Sequence, residues 1–239
     1  MIPLRNVLKK RSLRPEGMDD PGLEVDLHYQ ALQGLQRINI LSGVTRQIFK
    51  GLSVFLKEKG GRIKILDIAA GGGDIPIALA QKAKQYFLPV EIHACDKSET
   101  AVAYAQLKSR QKNVPVKFFK LDIFTDEIPG GYHIIISSLF LHHLPILQTF
   151  GFLKKISKAA QLGILLNDLQ RCWPGFILAS SIPSFLTSSR IVRQDGIRSV
   201  RAAYSLAEIK RIVERAGLEG AQIKKAWPFR YQLIWRKNV

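Results

Sequence analysis

The stretch Ile63-Lys64-Ile65-Leu66-Asp67-Ile68-Ala69-Ala70-Gly71-Gly72-Gly73-Asp74 decides the fold. Residues 63–67 read as a short apolar strand closed by a carboxylate. A glycine-rich turn follows, and a helix starts near Asp74. Asp74 can cap that helix, and Pro76 suits its first turn. Strand, glycine turn and helix in this order let a ligand approach the backbone at the carboxyl end of the strand.

The same alternation continues outward. Residues 90–95 form a second strand with Asp96 just beyond it, and Ser98 opens a helix to about Lys112. Residues 116–121 form a third strand, again closed by an acid, Asp122. Residues 132–138 are nearly all β-branched, the pattern of a strand buried on both faces. Pro145 starts a helix with Ile146, Phe150 and Leu153 on one side. Residues 162–166 make a fifth strand ending at Asn167-Asp168, and a mixed helical region covers 173–186. Ser205 and Glu208 have capping-box spacing. Ile209, Ile212, Val213 and Ala216 then form a helical stripe that Gly217 ends. Two strand-like runs, 221–226 and 231–235, meet near Pro228 as a hairpin.

Alternating strands and helices imply an α/β fold with a mostly parallel sheet. The hairpin adds an antiparallel strand. Residues 1–50 lack a strand pattern, and Leu23, Leu27, Leu32, Leu35, Ile38 and Ile48 suggest one or two helices. The expected organisation is an N-terminal helical cap, 1–55, over a single domain, 56–239.

The ligand follows from what the turn offers and what it refuses. Counting from Gly71, the dinucleotide fingerprint G-x-G-x-x-G fails at Pro76, and no G-K-[ST] follows, so this is no P-loop. Asp74 sits where a pyrophosphate would otherwise bind, and a carboxylate there repels phosphate. Asp67, Asp96 and Asp122 close three successive strands at the crevice. That set suits a nucleoside carrying positive charge and no phosphate. S-adenosylmethionine has these properties: adenosine, a sulfonium, and an amino-acid end.

At these residues the chain resembles the class I S-adenosylmethionine-dependent methyltransferase superfamily, with its Rossmann-like sheet and its first motif D-x-G-x-G-x-G. Asp67, Ala69, Gly71 and Gly73 occupy that motif, with Ala69 replacing the first glycine. The form running from Asp67 to Asp74 resembles the ubiquinone/menaquinone type of small-molecule methyltransferase. The resemblance covers about residues 55–239. It implies cofactor contacts from Asp67, Ala69, Ala70, Gly71, Gly73 and Asp74, with Gly71 to Gly73 cradling the methionine end. It places Asp96, beside Lys97, on the ribose hydroxyls. It sets Asp122 at the adenine amino group, Ile123 near the ring, and Ser138 beside the methyl group.

Methyl transfer is an in-line displacement, and the enzyme mostly supplies alignment. A phenol or alcohol acceptor also needs a base. His143 is the favoured candidate, with His142 beside it, both just past the fourth strand. Asp168 can accept a proton or orient the acceptor. Arg171 can pair an acidic substrate group or Asp168 itself. His28 and Tyr29 of the cap can reach the pocket, whereas His93 reads as structural. Arg190, Arg193, Arg198 and Arg201 around Asp195-Gly196 either grip an anion or line a solvated loop.

Two functions compete. One is methylation, by expectation O-methylation, of a small aromatic, quinone or polyketide-like acceptor, with residues 176–186 walling an apolar pocket. The other is RNA methylation, prompted by a formal net charge of +17, of which residues 188–239 carry 12 basic and 4 acidic side chains. Against RNA, Ser137-Ser138-Leu139-Phe140 is not the [N/D]-P-P-[Y/F] signature of exocyclic base amines. A catalytic Pro-Cys pair and a separate RNA-binding module are also absent. A non-catalytic binding protein on the same fold is a third class, disfavoured by the intact acids. The two cysteines, Cys95 and Cys172, lack metal-type spacing, and no metal is expected. The longest apolar run, 134–147, is broken by His142, His143 and Pro145, so no membrane span is expected. With no secretory signal pattern, a cytoplasmic setting is expected, though an Arg-rich transit peptide stays open.

Overall fold

The computed structural model describes residues 7–20, 22–56, 61–181, 187 and 189–237. Seven strands make one sheet in the order β3-β2-β1-β4-β5-β7-β6. They are β1 (Ile63–Ile68), β2 (Val90–Asp96), β3 (Val116–Lys120), β4 (Ile134–Ser138), β5 (Gly163–Leu169), β6 (Gln222–Ala226) and β7 (Arg230–Arg236). The first five are parallel. β7 runs antiparallel to both β5 and β6, so the C-terminal hairpin enters the sheet beside β5. This is the mostly parallel, Rossmann-like arrangement with an antiparallel hairpin strand expected from the sequence.

Eight α-helices surround the sheet among the described residues: α1 (Val25–Leu41), α2 (Val44–Leu56), α3 (Asp74–Gln85), α4 (Glu99–Gln111), α5 (Ile146–Ala159), α6 (Trp173–Ser181), α7 (Arg190–Ala202) and α8 (Leu206–Arg215). Strand alternation divides the core into two layers. Ile63 and Ile65 of β1, with Ile134 and Ile136 of β4, pack among Val44, Ile48, Leu52 and Phe55 of α2. Leu66 and Ile68, with Ile135, face Phe152, Leu153 and Ile156 of α5 and Ile209, Ile212 and Val213 of α8. Each such fully buried aliphatic side chain contributes about 1.5–3 kcal/mol over its exposed state. α2 thus belongs to the sheet's own core, while α1 lies over the glycine turn.

Several expectations need correction. Tyr132 and His133 precede β4 rather than joining it. The buried side of α5 is Thr149, Phe152, Leu153 and Ile156, with Ile146 half exposed. β5 does not end at Asn167; it runs on through Asp168 to Leu169, because β7 pairs with it to Arg230. The arginine-rich stretch is not a loop but α7, opened by Ser189, whose Oγ accepts the Val192 N–H. Asp195-Gly196 resembles a turn in sequence, yet Asp195 is buried and receives the Gly17 and Met18 N–H groups at 2.9 and 3.1 Å. In this way α7 holds the short 3-10 turn Gly17–Asp19 of the N-terminal arm. α6 covers only part of the expected apolar wall; residues 182–186 lie outside the described set. The capping box of Ser205 and Glu208 and the left-handed Gly217 stand as expected.

Candidate functional site

The crevice lies at the carboxyl ends of β1, β2, β4 and β5, where a switch in strand order leaves room for a ligand. Its first half is the glycine turn. Ala69, Gly71 and Gly73 all have left-handed φ, +57°, +52° and +74°. Gly73, rather than Asp74, is the N-cap of α3. A Cβ on Gly73 would stand 2.8 Å from the Ala105 methyl and the Phe118 ring, so glycine is required for space as well as for φ. Gly72 lies under Leu32 of α1 and the Tyr104 ring. Tyr29 packs on that ring with centroids 4.8 Å apart.

Asp96 ties the turn to the next unit. Its Oδ2 accepts the Gly71 N–H at 2.8 Å and its Oδ1 the Ser98 N–H at 2.9 Å. Burial raises its carboxyl above the ordinary value, against the pull of those two donors. Asp67 differs. It is buried inside β1, one residue before the strand ends, and neither of its oxygens has a partner. Burial, and the charges of Asp74 and Asp96, hold it well above the usual carboxylate range. Asp74 is raised by burial too, although Asn39 Nδ2 donates to its Oδ2 at 3.0 Å. An orphaned buried carboxylate costs free energy unless a ligand answers it. A cationic group against the glycine turn does so, and the donor set fits S-adenosylmethionine.

The remaining expected cofactor residues occupy the rim. Asp122 turns the chain after β3, its Oδ1 taking the Phe124 N–H at 2.9 Å. Ile123 is buried, with its carbonyl 2.7 Å from Lys155 Nζ. Lys97 Nζ lies 3.8 Å from Asp19. Ala70 donates its N–H to the Cys95 carbonyl. Ser138 ends β4 opposite Asn167.

The second half stands above β4 and β5. His142 is buried; its Nδ1 is 2.6 Å from Asp168 Oδ1, and its backbone N–H donates to Asp168 Oδ2 at 3.2 Å. Burial alone would raise Asp168, but the charge and hydrogen bond of His142 outweigh it and hold the carboxyl low. His142 Nε2 faces Glu16 Oε1 at 3.7 Å. His143 is less buried. Its Nδ1 is 3.3 Å from Asp19 and its Nε2 3.9 Å from Glu16. Burial lowers its pKa, but Asp19 and Glu16 more than reverse that and push it up to about 9. The arm that carries Glu16 and Asp19 is pinned by Arg11, which donates to the carbonyls of Ala202, His142 and Leu144 and lies 3.5 Å over the Tyr204 ring.

Sequence reasoning missed Glu16, Asp19, Asn39 and Arg230. It offered Arg171 as a partner of Asp168 or of substrate. The structure places that guanidinium on Glu208 (2.7 Å) and on the carbonyls of Ala203 and Leu8 (2.7 and 3.0 Å), where it ties the arm to α8. His28 feels Asp96 and Asp19 electrostatically, and burial lowers its pKa. His93 is structural, bonded to the Tyr132 hydroxyl and to Glu91. Glu16, His142 and His143 bring ligand-type atoms within 4.8 Å of one another. Ion pairing with Asp168 and Asp19, and the Ser199 Oγ bond to Glu16, account for that spacing without a metal.

Residues 65–163, from β1 to the start of β5, match a family described as a methyltransferase domain. The match spans less than half of the chain and marks a methyltransferase domain over those residues. Solved structures share the fold at low identity. Magnesium protoporphyrin IX methyltransferase from Synechocystis PCC 6803, with bound S-adenosylhomocysteine, is 16% identical with a TM-score of 0.59; the match covers 92% of this chain and 91% of that one. A plantazolicin methyltransferase in complex with S-adenosylhomocysteine is 17% identical, covers 92% of both chains and has a TM-score of 0.65. An O-methyltransferase family 2 protein from Planctomyces limnophilus DSM 3776, in complex with apigenin, is 17% identical with a TM-score of 0.56, over 82% of this chain and 62% of that one. No curated protein matches the sequence. Among the described residues no helix is long and apolar enough to cross a membrane.

Proposed function

We propose that the chain methylates a hydroxyl of a small aromatic, quinone or polyketide-like acceptor. The 2.6 Å pairing of His142 with Asp168 at the crevice carries this reading. When bound, S-adenosylmethionine supplies an electrophilic methyl group. Asp67, Ala69, Ala70, Gly71, Gly73 and Asp74 hold its amino-acid end. Asp96 and Lys97 would hold the ribose, Asp122 and Ile123 the adenine, and Ser138 would lie on the side of the transferred group. Asp168 holds the Nδ1–H of His142, which leaves Nε2 as the basic nitrogen. The acceptor hydroxyl would enter where Glu16 now stands and give its proton to that Nε2. His143, whose pKa its neighbours push up to about 9, is cationic near neutral pH and would serve as local positive charge beside the developing phenolate. Arg171 acts only through the arm it anchors.

The test is turnover of phenolic acceptors by His142→Ala and Asp168→Asn, with cofactor affinity measured alongside. General-base loss predicts turnover lower by about 10²–10⁴ for His142→Ala. Cofactor affinity stays unchanged. Equal turnover in both variants removes the pair from the chemistry. The basic surface keeps RNA as the second reading, which salt separates. A protein neutralising 6–10 phosphates loses about 10³–10⁵ in affinity between 50 and 200 mM salt. A small neutral acceptor shows almost no such slope.

A further inference from the structure

Arg230 begins β7 at the crevice end of the sheet, opposite Leu169 of β5 and Ala226 of β6. It is 3% exposed. Its Nη2 donates to Asn39 Oδ1 at 3.2 Å, while Nε and Nη1 have no partner. A buried guanidinium with two bare nitrogens is as unsettled as a buried bare carboxylate. Burial brings its pKa down to about 10 against the pull of Asp168 and Asp74, so it remains a cation at neutral pH.

The neighbours define what it lacks. Asn39 bridges Arg230 and Asp74, its oxygen accepting from the first and its Nδ2 donating to the second. Asp74 is the first residue of α3, directly after the glycine turn, and its charge reaches the orphaned Asp67. Arg230, Asn39 and Asp74 thus form one bonded chain of side chains, and the unanswered carboxylate of Asp67 feels the charge at its end. An α-amino-acid head group carries both complements, an ammonium for the acid side and a carboxylate for the arginine.

We propose that Arg230 is the receptor for the carboxylate of the cofactor's methionyl group, with Asn39 holding the guanidinium in place. This rests on the cofactor placement proposed above. Arg230 lies outside the segment 65–163 that matches the methyltransferase-domain family. The C-terminal hairpin thus contributes to a site otherwise built from the first half of the sheet. Its charge reads the end of the cofactor furthest from the adenine.

Calorimetry of the full chain with S-adenosylmethionine and with its decarboxylated form tests this, because the two differ only in the carboxylate. Wild type prefers S-adenosylmethionine. Arg230→Gln weakens that compound about 10- to 100-fold, the loss expected for charge-assisted hydrogen bonds. It leaves the decarboxylated form unchanged, which also reports that the variant is folded. Arg230→Lys restores part of the preference. Loss of both compounds together in Arg230→Gln and Arg230→Lys overturns the assignment, since it marks a structural role. Full preference retained in Arg230→Gln overturns it as well and leaves the cofactor placement intact. Wild-type protein that binds neither compound overturns that placement and the assignment with it.

Discussion

The two halves of the crevice differ in how their buried charges are answered. Above β4 and β5 the histidines and Arg171 have protein partners: His142 has Asp168 and Glu16, His143 has Asp19, and Arg171 has Glu208. Beside the glycine turn, Asp67 has none and Arg230 has one. Buried polar groups in folded proteins are nearly always paired. Asp67 and Arg230 are the bare groups that the proposed cofactor would complete. The satisfied half is completed by the chain's own arm, which supplies Glu16 and Asp19 over the histidines. A cofactor common to a whole family can be an invariant part of the fold, whereas a changing acceptor needs a cover that can give way.

Asp96 offers the largest effect with which to break this comparison. It belongs to the cofactor half yet is fully engaged, by Gly71 and Ser98. Asp96→Ala removes the proposed acceptor of the ribose hydroxyls and both backbone anchors of the turn. At about 1.5–3 kcal/mol for each charged hydrogen bond, cofactor affinity falls by at least about 100-fold. Titration calorimetry with S-adenosylhomocysteine measures it. Unchanged binding would mean that Asp96 serves the turn alone, and the distinction between the halves would fail on its best-anchored residue.

Gly73 sharpens the comparison with a smaller effect. Gly73→Ala forces a left-handed alanine and drives its methyl into Ala105 and Phe118. Strain of about 1 kcal/mol and overpacking of about 1–3 kcal/mol add to a substantial loss of stability. Urea denaturation reads the loss. Because α3 and α4 must part to admit the methyl, cofactor affinity falls with it, while the His142–Asp168 pair on the other face of the sheet is untouched. A variant as stable as wild type would show that the turn has slack.

How much of this was legible in the sequence depends on whether a feature is local. Strands β1 to β4 and the glycine turn announce themselves through alternation, β-branching and the acids at strand ends. The capping box at Ser205 and the stripe from Ile209 to Ala216 are equally local. α7 was not legible: Asp195-Gly196 imitates a turn, and only the N–H groups of Gly17 and Met18, some 178 residues earlier, explain a buried acid in mid-helix. The stripe of α5 was misplaced because Thr149 is buried by its bonds to the Pro145 carbonyl and the Tyr204 hydroxyl, which hydropathy does not register. Arg230 belongs to no motif, and its meaning lies in Asn39, 191 positions away. Glu16 and Asp19 sit among turn residues, and only the folded arm brings them onto the histidines.

Asp67 carries the smallest effect and tests the cost of keeping a site unpaired. Its folded-state pKa is raised, by burial first and then by Asp74 and Asp96. A carboxyl with a raised pKa holds its proton in the folded state after the unfolded chain has lost it. Its contribution to stability is therefore full below the unfolded value of about 3.9 and declines as pH rises toward the folded value. Asp67→Asn cannot ionise and escapes that decline. Without cofactor, the variant should melt above wild type at pH 8 by about 2–4 °C for each kcal/mol relieved, with a smaller gap at pH 5. Asp74 and Asp96 remain in both proteins, so their own titration largely cancels in the difference. Added S-adenosylhomocysteine should reverse the order if, as proposed, Asp67 receives its ammonium, because wild type then regains stability from the ligand and the variant regains less. Melting curves at the two pH values, with and without the ligand, contain the whole test. A variant that melts with wild type under all four conditions would mean that Asp67 is already satisfied within the fold, and the contrast between the halves would then rest on Arg230 alone.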